Sequence, residues 1–213
     1  VSIPLGIRKA VKDGSRFDTW TSAFIIAAYA IPSFLFAIML LVLFAGGSYY
    51  QWFPLRGLTS NNFDDLTAMG KVLDYFWHIT LPVLAGTIGG FATLTLLTKN
   101  SFLDEIKKLY VVTAKAKGLS DHQVVYKHAL KNALSPVITL AGLQFSAVLS
   151  GAVLVEAVFS WPGLGTLAFQ SIIARDTPTI LGILFFSALV VIVGNLLTDL
   201  ALRLVDPRVG GRE

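Results

Sequence analysis

Tyr110 to Pro136, YVVTAKAKGLSDHQVVYKHALKNALSP, is a basic, helix-forming stretch that joins the uncharged runs Ile79 to Thr98 and Leu134 to Val155. A polar hairpin between two such runs places this segment at a membrane surface, where a partner can reach it. The rest of the chain supports that frame. Of the 213 residues, 54% are hydrophobic and only 14% charged, and the mean hydropathy of +0.69 lies far from the balance of a soluble domain. A membrane span needs about 20 mostly apolar residues. Four windows meet that need, Trp20 to Ala45, Ile79 to Thr98, Leu134 to Val155 and Thr179 to Thr198, and none contains Asp, Glu, Lys or Arg. Barrel strands are about half as long and alternate in polarity. The expected fold is therefore all-α, a polytopic transmembrane helical protein.

Charge then sets the orientation. Of the 17 Lys and Arg, all but Arg56, Lys71 and Arg175 fall before the first window, between the second and third, or after the fourth. Those segments share one side, and by the positive-inside rule that side is cytoplasmic. The expected layout is a cytoplasmic segment 1–19, a transmembrane domain 20–205 with a cytoplasmic loop 104–133, and a cytoplasmic tail 206–213 ending in Asp206, Pro207, Arg208 and Arg212. Residues 46–78 and 156–178 then face outward. The net charge of +4 follows from topology and needs no nucleic acid partner, since no base-reading motif accompanies it. Cysteine is absent, so disulfides and thiolate metal sites are excluded.

The cytosolic loop is punctuated as a helical hairpin. Asp104 and Glu105 precede Lys108 at helical spacing, which carries the second span into the cytosol. Gly118 is placed to stop that helix, and Ser120 with Gln123 reads as a capping box that starts the next. On the second helix Lys127 and Lys131 share one face, and Tyr126, Leu130, Ala133 and Leu134 another. Composition alone also admits an ordinary solvated loop.

Outside that loop, Pro32 removes a backbone hydrogen bond in mid-span, and Gly86, Gly89 and Gly90 thin the second span. Ordinary helix packing accounts for such positions ahead of a gating hinge, since Gly and Pro are frequent in membrane helices. In 156–178, Trp161, Pro162, Gly163 and Gly165 read as a tight turn, followed by Leu167, Phe169, Ile172 and Ile173 at the spacing of a short helix at or in the membrane surface. Glu156, directly after the third window, reads as a carboxylate in contact with water or as a group lining a solute path. Gln144 and Asn195, the amides within spans, suit hydrogen bonds between helices.

Several motifs in one order give a specific resemblance. Thr113 to Gly118 (TAKAKG), Leu119-Ser120 and His128 to Ala133 (HALKNA) resemble the coupling-loop signature of permeases of dipeptide and oligopeptide ABC importers. The likeness continues in Val155-Glu156 and Phe159 to Gly165, in Arg175 to Pro178, and in Asn195 to Asp199 ahead of Asp206 to Arg208. The broader importer signature has Glu-Ala-Ala before the glycine and Leu-Pro after it; Val112-Thr113-Ala114 and Leu130-Lys131 stand there instead. PLRGL at Pro54 to Leu58, Asn62 to Leu66 and Leu97 to Lys108 resemble the branch importing microcin C and oligopeptides.

The resemblance implies a type I ABC-importer permease fold of six spans, these being the last four, in a bacterial inner membrane. It implies a second permease subunit, ATPase subunits that hold ATP and Mg, an extracytoplasmic solute-binding protein and a peptide-like substrate. It also implies that Thr113, Ala114, Ala116, Gly118, Leu119, Ser120, His128, Leu130 and Asn132 form the ATPase-coupling loop. Glu156, Asn195 and Asp199 are candidates for path or interface positions. No catalytic residue, metal site or bound cofactor is expected in this chain, which lacks a phosphate-binding loop motif. An ion-driven carrier or channel is the alternative, but it usually places ionisable groups inside spans. An intramembrane enzyme is a third, and His78, His122 and His128 have no Ser or metal-ligand partner at useful spacing.

Overall fold

The structure is a computed structural model that describes residues 1–47, 49–120, 123–149 and 151–205, without the side chains at 115, 125, 127, 128, 146, 148 and 149. The side chains of Lys115, Lys127 and His128, together with His122 and the tail 206–213, therefore lie outside what is described. Every regular element among the described residues is helical: α1 (Ser2–Val11), α2 (Arg16–Ala30), α3 (Ser33–Phe44), α4 (Ala68–Ile106), α5 (Leu109–Ala116), α6 (Leu130–Leu149), α7 (Val153–Val158), α8 (Leu164–Ala174) and α9 (Thr177–Val205), with a 3₁₀ turn at Phe63–Asp65 and a π-helical stretch at Val124–Ala129.

Among the described residues, α4 and α9 are each long and apolar enough to cross a membrane, and α2 with α3 make a third if counted as one interrupted span. At about 1.5 Å per residue the 39 residues of α4 reach about 58 Å, nearly twice a hydrocarbon core of about 30 Å. Its ends therefore extend beyond the lipid. The interruption of the first window falls at Ile31 and Pro32. Pro32 has no N–H to give the preceding turn, and it takes an extended conformation (φ −54°, ψ 137°) that restarts the chain as α3. The third window is not one helix either: α6 ends at Leu149, and Val153 to Val155 belong to the separate α7.

Two compact units are distinguished. One comprises Val1–Tyr29, Gly90–Ser146 and the segment from Leu189. Its apolar core gathers Ile7 and Ala10 of α1, Phe102 of α4, Val111 and Ala114 of α5, and Val124, Ala129 and Ala133. Small residues permit close helix approach here. A Cβ on Gly6 would lie 2.6 Å from Thr98 Cβ, so α1 rests directly on α4, and Gly142 of α6 abuts the Thr198 side chain of α9. Gly90 lies against Gln144, whereas added Cβ atoms at Gly86 and Gly89 would meet no group among the described residues within 4 Å.

The other unit comprises Ala30–Gly89 and Ala147–Ala188. Ala37 and Leu40 of α3, Leu81 and Ala85 of α4, and Val155 and Phe159 form its core. Trp77 Nε1 donates to the Trp52 carbonyl at 2.7 Å. The Asp74 carboxylate accepts from the Ser60 N–H at 2.9 Å and hydroxyl at 2.5 Å. His78, buried one turn on, sets Nδ1 2.8 Å from the Asp74 carbonyl.

Candidate functional site

The hairpin that follows α4 is shaped by its glycine and by its cap. Gly118 adopts φ +81°, a left-handed conformation that suits glycine because other residues place Cβ too near the backbone there. The Leu119 N–H then reaches the Ala114 carbonyl at 3.4 Å, the six-to-one bond of a Schellman stop. Directly after it, the Gln123 N–H donates to Ser120 Oγ and the Ser120 N–H to Gln123 Oε1, both at 3.3 Å. That reciprocal pair is the capping box the spacing indicates. Among the described residues no other group lies within 4 Å of where a Gly118 Cβ would project, so the turn conformation selects glycine here.

One sequence expectation needs correction on the second helix. An ordinary helical repeat puts Tyr126 on the face of Leu130 and Ala133, yet Tyr126 is 52% exposed while Val124, Ala129 and Ala133 are buried. Winding as a π-helix from Val124 to Ala129 spaces the first inward pair five residues apart, and the four-residue step to Ala133 follows only then. Tyr126 is thereby turned outward.

The hairpin's two faces differ in the opposite sense to a solvated loop. Inside, Val111 and Ala114 meet Val124, Ala129 and Phe102, with half-buried Leu130 packed against them. Outside, Leu109, Val112, Thr113 and Ala116 form a stripe at i, i+3, i+4 and i+7 on α5. Leu109 is 83% and Val112 55% exposed. Thr113 Oγ1 donates back to the Leu109 carbonyl at 2.9 Å, which leaves its methyl on this face. Leu119 and Ser120 are exposed at the tip. Of the expected loop residues, Thr113, Ala116, Gly118, Leu119 and Ser120 are thus surface groups, whereas Ala114 and Leu130 are taken up by the interior. Asn132 is exposed and donates to Tyr110 Oη at 3.1 Å, and that hydroxyl donates to Glu105 Oε1 at 2.7 Å. Burial opposes charge on Glu105, but Lys108 at 2.6 Å and Tyr110 hold its carboxyl below the ordinary value. Burial and Glu105 together push the Tyr110 phenol up to about 12. This network ties the end of α4 to α5 and α6.

Beneath the hairpin lies a charge cluster that sequence reasoning missed. Lys9 has no exposed surface, and its Nζ donates to Thr21 Oγ1 (2.7 Å), Ser22 Oγ (2.8 Å) and the Asp18 carbonyl (3.0 Å), beside Asp18 Oδ1 at 3.1 Å. Lys99 of α4 bridges Asp18 at 2.7 Å and Asp13 at 2.8 Å. Burial would raise the Asp18 carboxyl, but bonds to Lys99, Lys9 and the Gly14 N–H prevail and hold it at about 2. Nothing in the sequence pairs Asp18 with Lys99, 81 positions on.

In the second unit, Glu156 is buried and both carboxylate oxygens are engaged. Oε1 accepts from the Ala152 and Gly165 N–H groups at 2.9 and 3.2 Å, and Oε2 from Thr166 at 2.7 Å. Gly165 and Thr166 stand in the first turn of α8, whose free N–H groups and dipole favour an anion. Burial opposes ionisation, yet the three backbone donors outweigh it and keep the carboxyl below the ordinary range. Glycine is required around this anion: a Cβ on Gly163 would collide with the carboxylate, and one on Gly151 would lie 2.9 Å from Oε1. The short helix suggested by Leu167 to Ile173 forms as α8, with Phe169, Ile172 and Ile173 more than half exposed. An open groove lined by Glu156, Trp161, Leu167 and Phe169 runs beside it. Asp176 caps α9 through the Thr179 N–H and hydroxyl at 3.2 and 2.6 Å.

Asn195 and Asp199 lie one turn apart on an exposed face of α9, in the first unit. Among the described residues, no group of three or more His, Asp or Glu is placed to hold a metal ion.

These features, a glycine-stopped hairpin and a glycine-cradled glutamate, lie in a sequence that is closely similar to known transport proteins. The chain is 56% identical over 210 residues, 98% of its length, to the peptidoglycan transport system permease protein YejB of Agrobacterium fabrum. It is equally similar to the inner membrane ABC transporter permease protein YejB of Escherichia coli O157:H7, and in each case covers 58% of the relative. Against the oligopeptide transport system permease protein AppB of Bacillus subtilis it is 36% identical over 209 residues, covering 98% of this chain and 64% of that protein. It thus spans somewhat over half the length of these relatives. Residues 2–211 match the family described as binding-protein-dependent transport system inner membrane component, and the chain belongs to that family.

Proposed function

We propose that this chain is the membrane-spanning part of an ATP-driven importer of peptides or peptide-like solutes, and that the α5 hairpin is where ATP-dependent motion enters it. The observation that carries the reading is the exposed apolar stripe Leu109, Val112, Thr113 and Ala116 beside the Gly118 turn. Leucine and valine one turn apart, continued by threonine and alanine, make a contiguous apolar patch of the kind that enters a partner's groove. The partner is an ATPase subunit, since ATP and Mg need a phosphate-binding loop that this chain lacks. The cation distribution supports a hairpin on the cytosolic side of a bacterial inner membrane, and the relatives named as peptide and peptidoglycan permeases support the peptide class.

Mechanism follows from continuity. When two ATPase subunits close on ATP they displace the hairpin, and because α4 leads into α5 with a break of only two residues, while the π-helical stretch leads directly into α6, the displacement is delivered to both helices. A second permease subunit supplies the other wall of the path, and a solute-binding protein delivers the substrate on the outer side. The chain itself performs no chemistry.

Val112→Glu in the intact protein is the test. The substitution keeps a good helix former at an exposed site and places a charge in the docking face. ATPase subunits should co-purify with the wild type from mild detergent and be lost from the variant, with its thermal unfolding unchanged. Equal recovery of ATPase with both would place the contact elsewhere, and no ATPase with either would remove the importer reading.

A further inference from the structure

The junction of α1 and α2 carries three cations that no carboxylate among the described residues neutralises. Arg8 sets its guanidinium carbon 5.0 Å from the centroid of the Phe17 ring, and Lys12, one turn on, its Nζ 5.9 Å from the same centroid. Arg16 precedes that phenylalanine at the start of α2, and all three cations are exposed. Only two acids, Asp13 and Asp18, occur in the first 63 residues. Both are engaged: Asp18 by Lys9 and Lys99, and Asp13 by Lys99. Among the described residues none of the three cations forms an ion pair, so the buried cluster consumes the local negative charge and leaves this group bare.

The apolar surroundings say what kind of anion belongs there. Trp20 and Phe24 continue the Phe17 face of α2 at i+3 and i+7, and they are 76% and 73% exposed. On α1, Val11 is 58% exposed beside Lys12. Two cations over an aromatic ring, with a third beside it in sequence, at the foot of an apolar, aromatic face match the level of a bilayer where headgroups meet acyl chains. An acidic protein surface satisfies the cations but not the face above them, and free phosphate satisfies neither Trp20 nor Phe24.

We propose that Arg8 and Lys12 over the Phe17 ring, with the adjoining Arg16, bind the headgroup phosphate of an anionic phospholipid of the cytoplasmic leaflet, with its acyl chains along Trp20 and Phe24. The site rests on the cytoplasmic placement of this end and not on the nature of the transported solute. Each cation near an anionic lipid surface strengthens binding by about fivefold. A lipid held here also bears on the hairpin, because Ile7 and Ala10 of the same α1 pack in the hairpin core.

The test uses the intact protein in vesicles with spin-labelled phosphatidylglycerol or phosphatidylcholine, comparing wild type, Lys12→Gln, and the triple variant Arg8→Gln, Lys12→Gln, Arg16→Gln. The wild type should prefer phosphatidylglycerol, the single variant should lose about fivefold in relative association constant, and the triple variant about a hundredfold. Inorganic phosphate should not compete. Three results overturn the proposal: equal association of the two lipids with the wild type, a preference that survives in the single variant and in a folded triple variant, or phosphate abolishing the preference at ordinary ionic strength. ATPase subunits lost from the variants with lipid preference unchanged would assign the cations to a protein partner instead, and retained lipid preference without any ATPase would leave the site standing while the importer reading fell.

Discussion

Replacing Asp18 by asparagine should be among the most damaging single changes in this chain, although it alters neither an apolar contact nor the size of the side chain. The carboxyl is held at about 2 against an ordinary 3.8. A tenfold change in acidity corresponds to about 1.4 kcal/mol, so the ionised form stabilises the fold by about 2.5 kcal/mol relative to the protonated one. Asparagine stands in for the protonated form and strands Lys9, which has no exposed surface through which to reach water. Breaking a buried pair in this way costs about 3–5 kcal/mol where no other acceptor remains. Here the Thr21 and Ser22 hydroxyls and the Asp18 carbonyl still accept from Lys9, which argues for the lower figure. A loss of about 2–3 kcal/mol is expected, a large share of the roughly 5–15 kcal/mol typical of a folded domain.

The sign of the pH dependence separates this account from a packing defect. A carboxyl whose folded value is depressed contributes its stability in full above the unfolded value, near 4, and loses it as pH falls through about 2. The gap between wild type and Asp18→Asn, read from reversible unfolding of the intact protein in mixed detergent micelles, should be constant from about pH 7 to about pH 5 and shrink steadily below about pH 4. Lys99→Gln should cost less, about 1 kcal/mol, because Asp18 keeps Lys9 and the Lys99 side chain is already 14% exposed. A gap under about 0.5 kcal/mol at about pH 7, or one that does not narrow in acid, would refute the assignment of this cluster as an ion-paired support.

Gly118→Ala should cost about 1–2 kcal/mol through backbone strain alone, with Gly118→Asn milder and Gly118→Val worse, an order to be read by thermal unfolding. Gly163→Ala should destabilise by about 1–3 kcal/mol for the opposite reason, a Cβ driven into the Glu156 carboxylate, and Glu156→Gln in the same background should relieve little of it, since the amide fills the same volume. Glu156→Gln alone replaces an anion holding three N–H donors by a neutral amide. Its deficit, measured by the same unfolding assay, should be full above the ordinary glutamate value of 4.5 and fade as pH falls through the depressed value of the native carboxyl.

What the sequence shows and what it hides divide along the range of each interaction. Gly118, Ser120 with Gln123, and the Leu167 to Ile173 helix are local patterns, and the structure contains each of them. Pro32 is legible as a lost hydrogen bond but not as the end of a helix, because whether a proline bends or breaks a span depends on what packs around it. The π-helical stretch at Val124–Ala129 is invisible because one extra residue per turn shifts every later side chain without leaving a residue type behind, so an ordinary repeat puts Tyr126 on the wrong face. Lys9 and Lys99 count in the sequence only as cations on one side of the membrane. That they share Asp18 depends on the approach of α1 to α4 over Gly6, a tertiary contact. Glu156 is visible as an acid beside an apolar window, but its three donors come from residues at offsets of four, nine and ten, which no periodic pattern joins.

Under the proposed coupling, the composition of the hairpin core bears on how motion would pass through it. Four of its eight buried members, Ala10, Ala114, Ala129 and Ala133, are alanines, and the largest, Phe102, is wholly enclosed among them. Alanine has no rotamers to exchange, so a load on the exposed stripe of α5 meets little side-chain give before it reaches the backbones of α1, α4 and α6. Leucines in the same places would bury more apolar surface while leaving torsions able to absorb a displacement. The four apolar windows hold no Asp, Glu, Lys or Arg, and under the proposed coupling, with the spans moved through the hairpin, stiffness at that point matters more than stability there. Gly118 and the Ser120 cap serve the same end, because a hairpin tip fixed by backbone geometry moves with its helices and not independently of them.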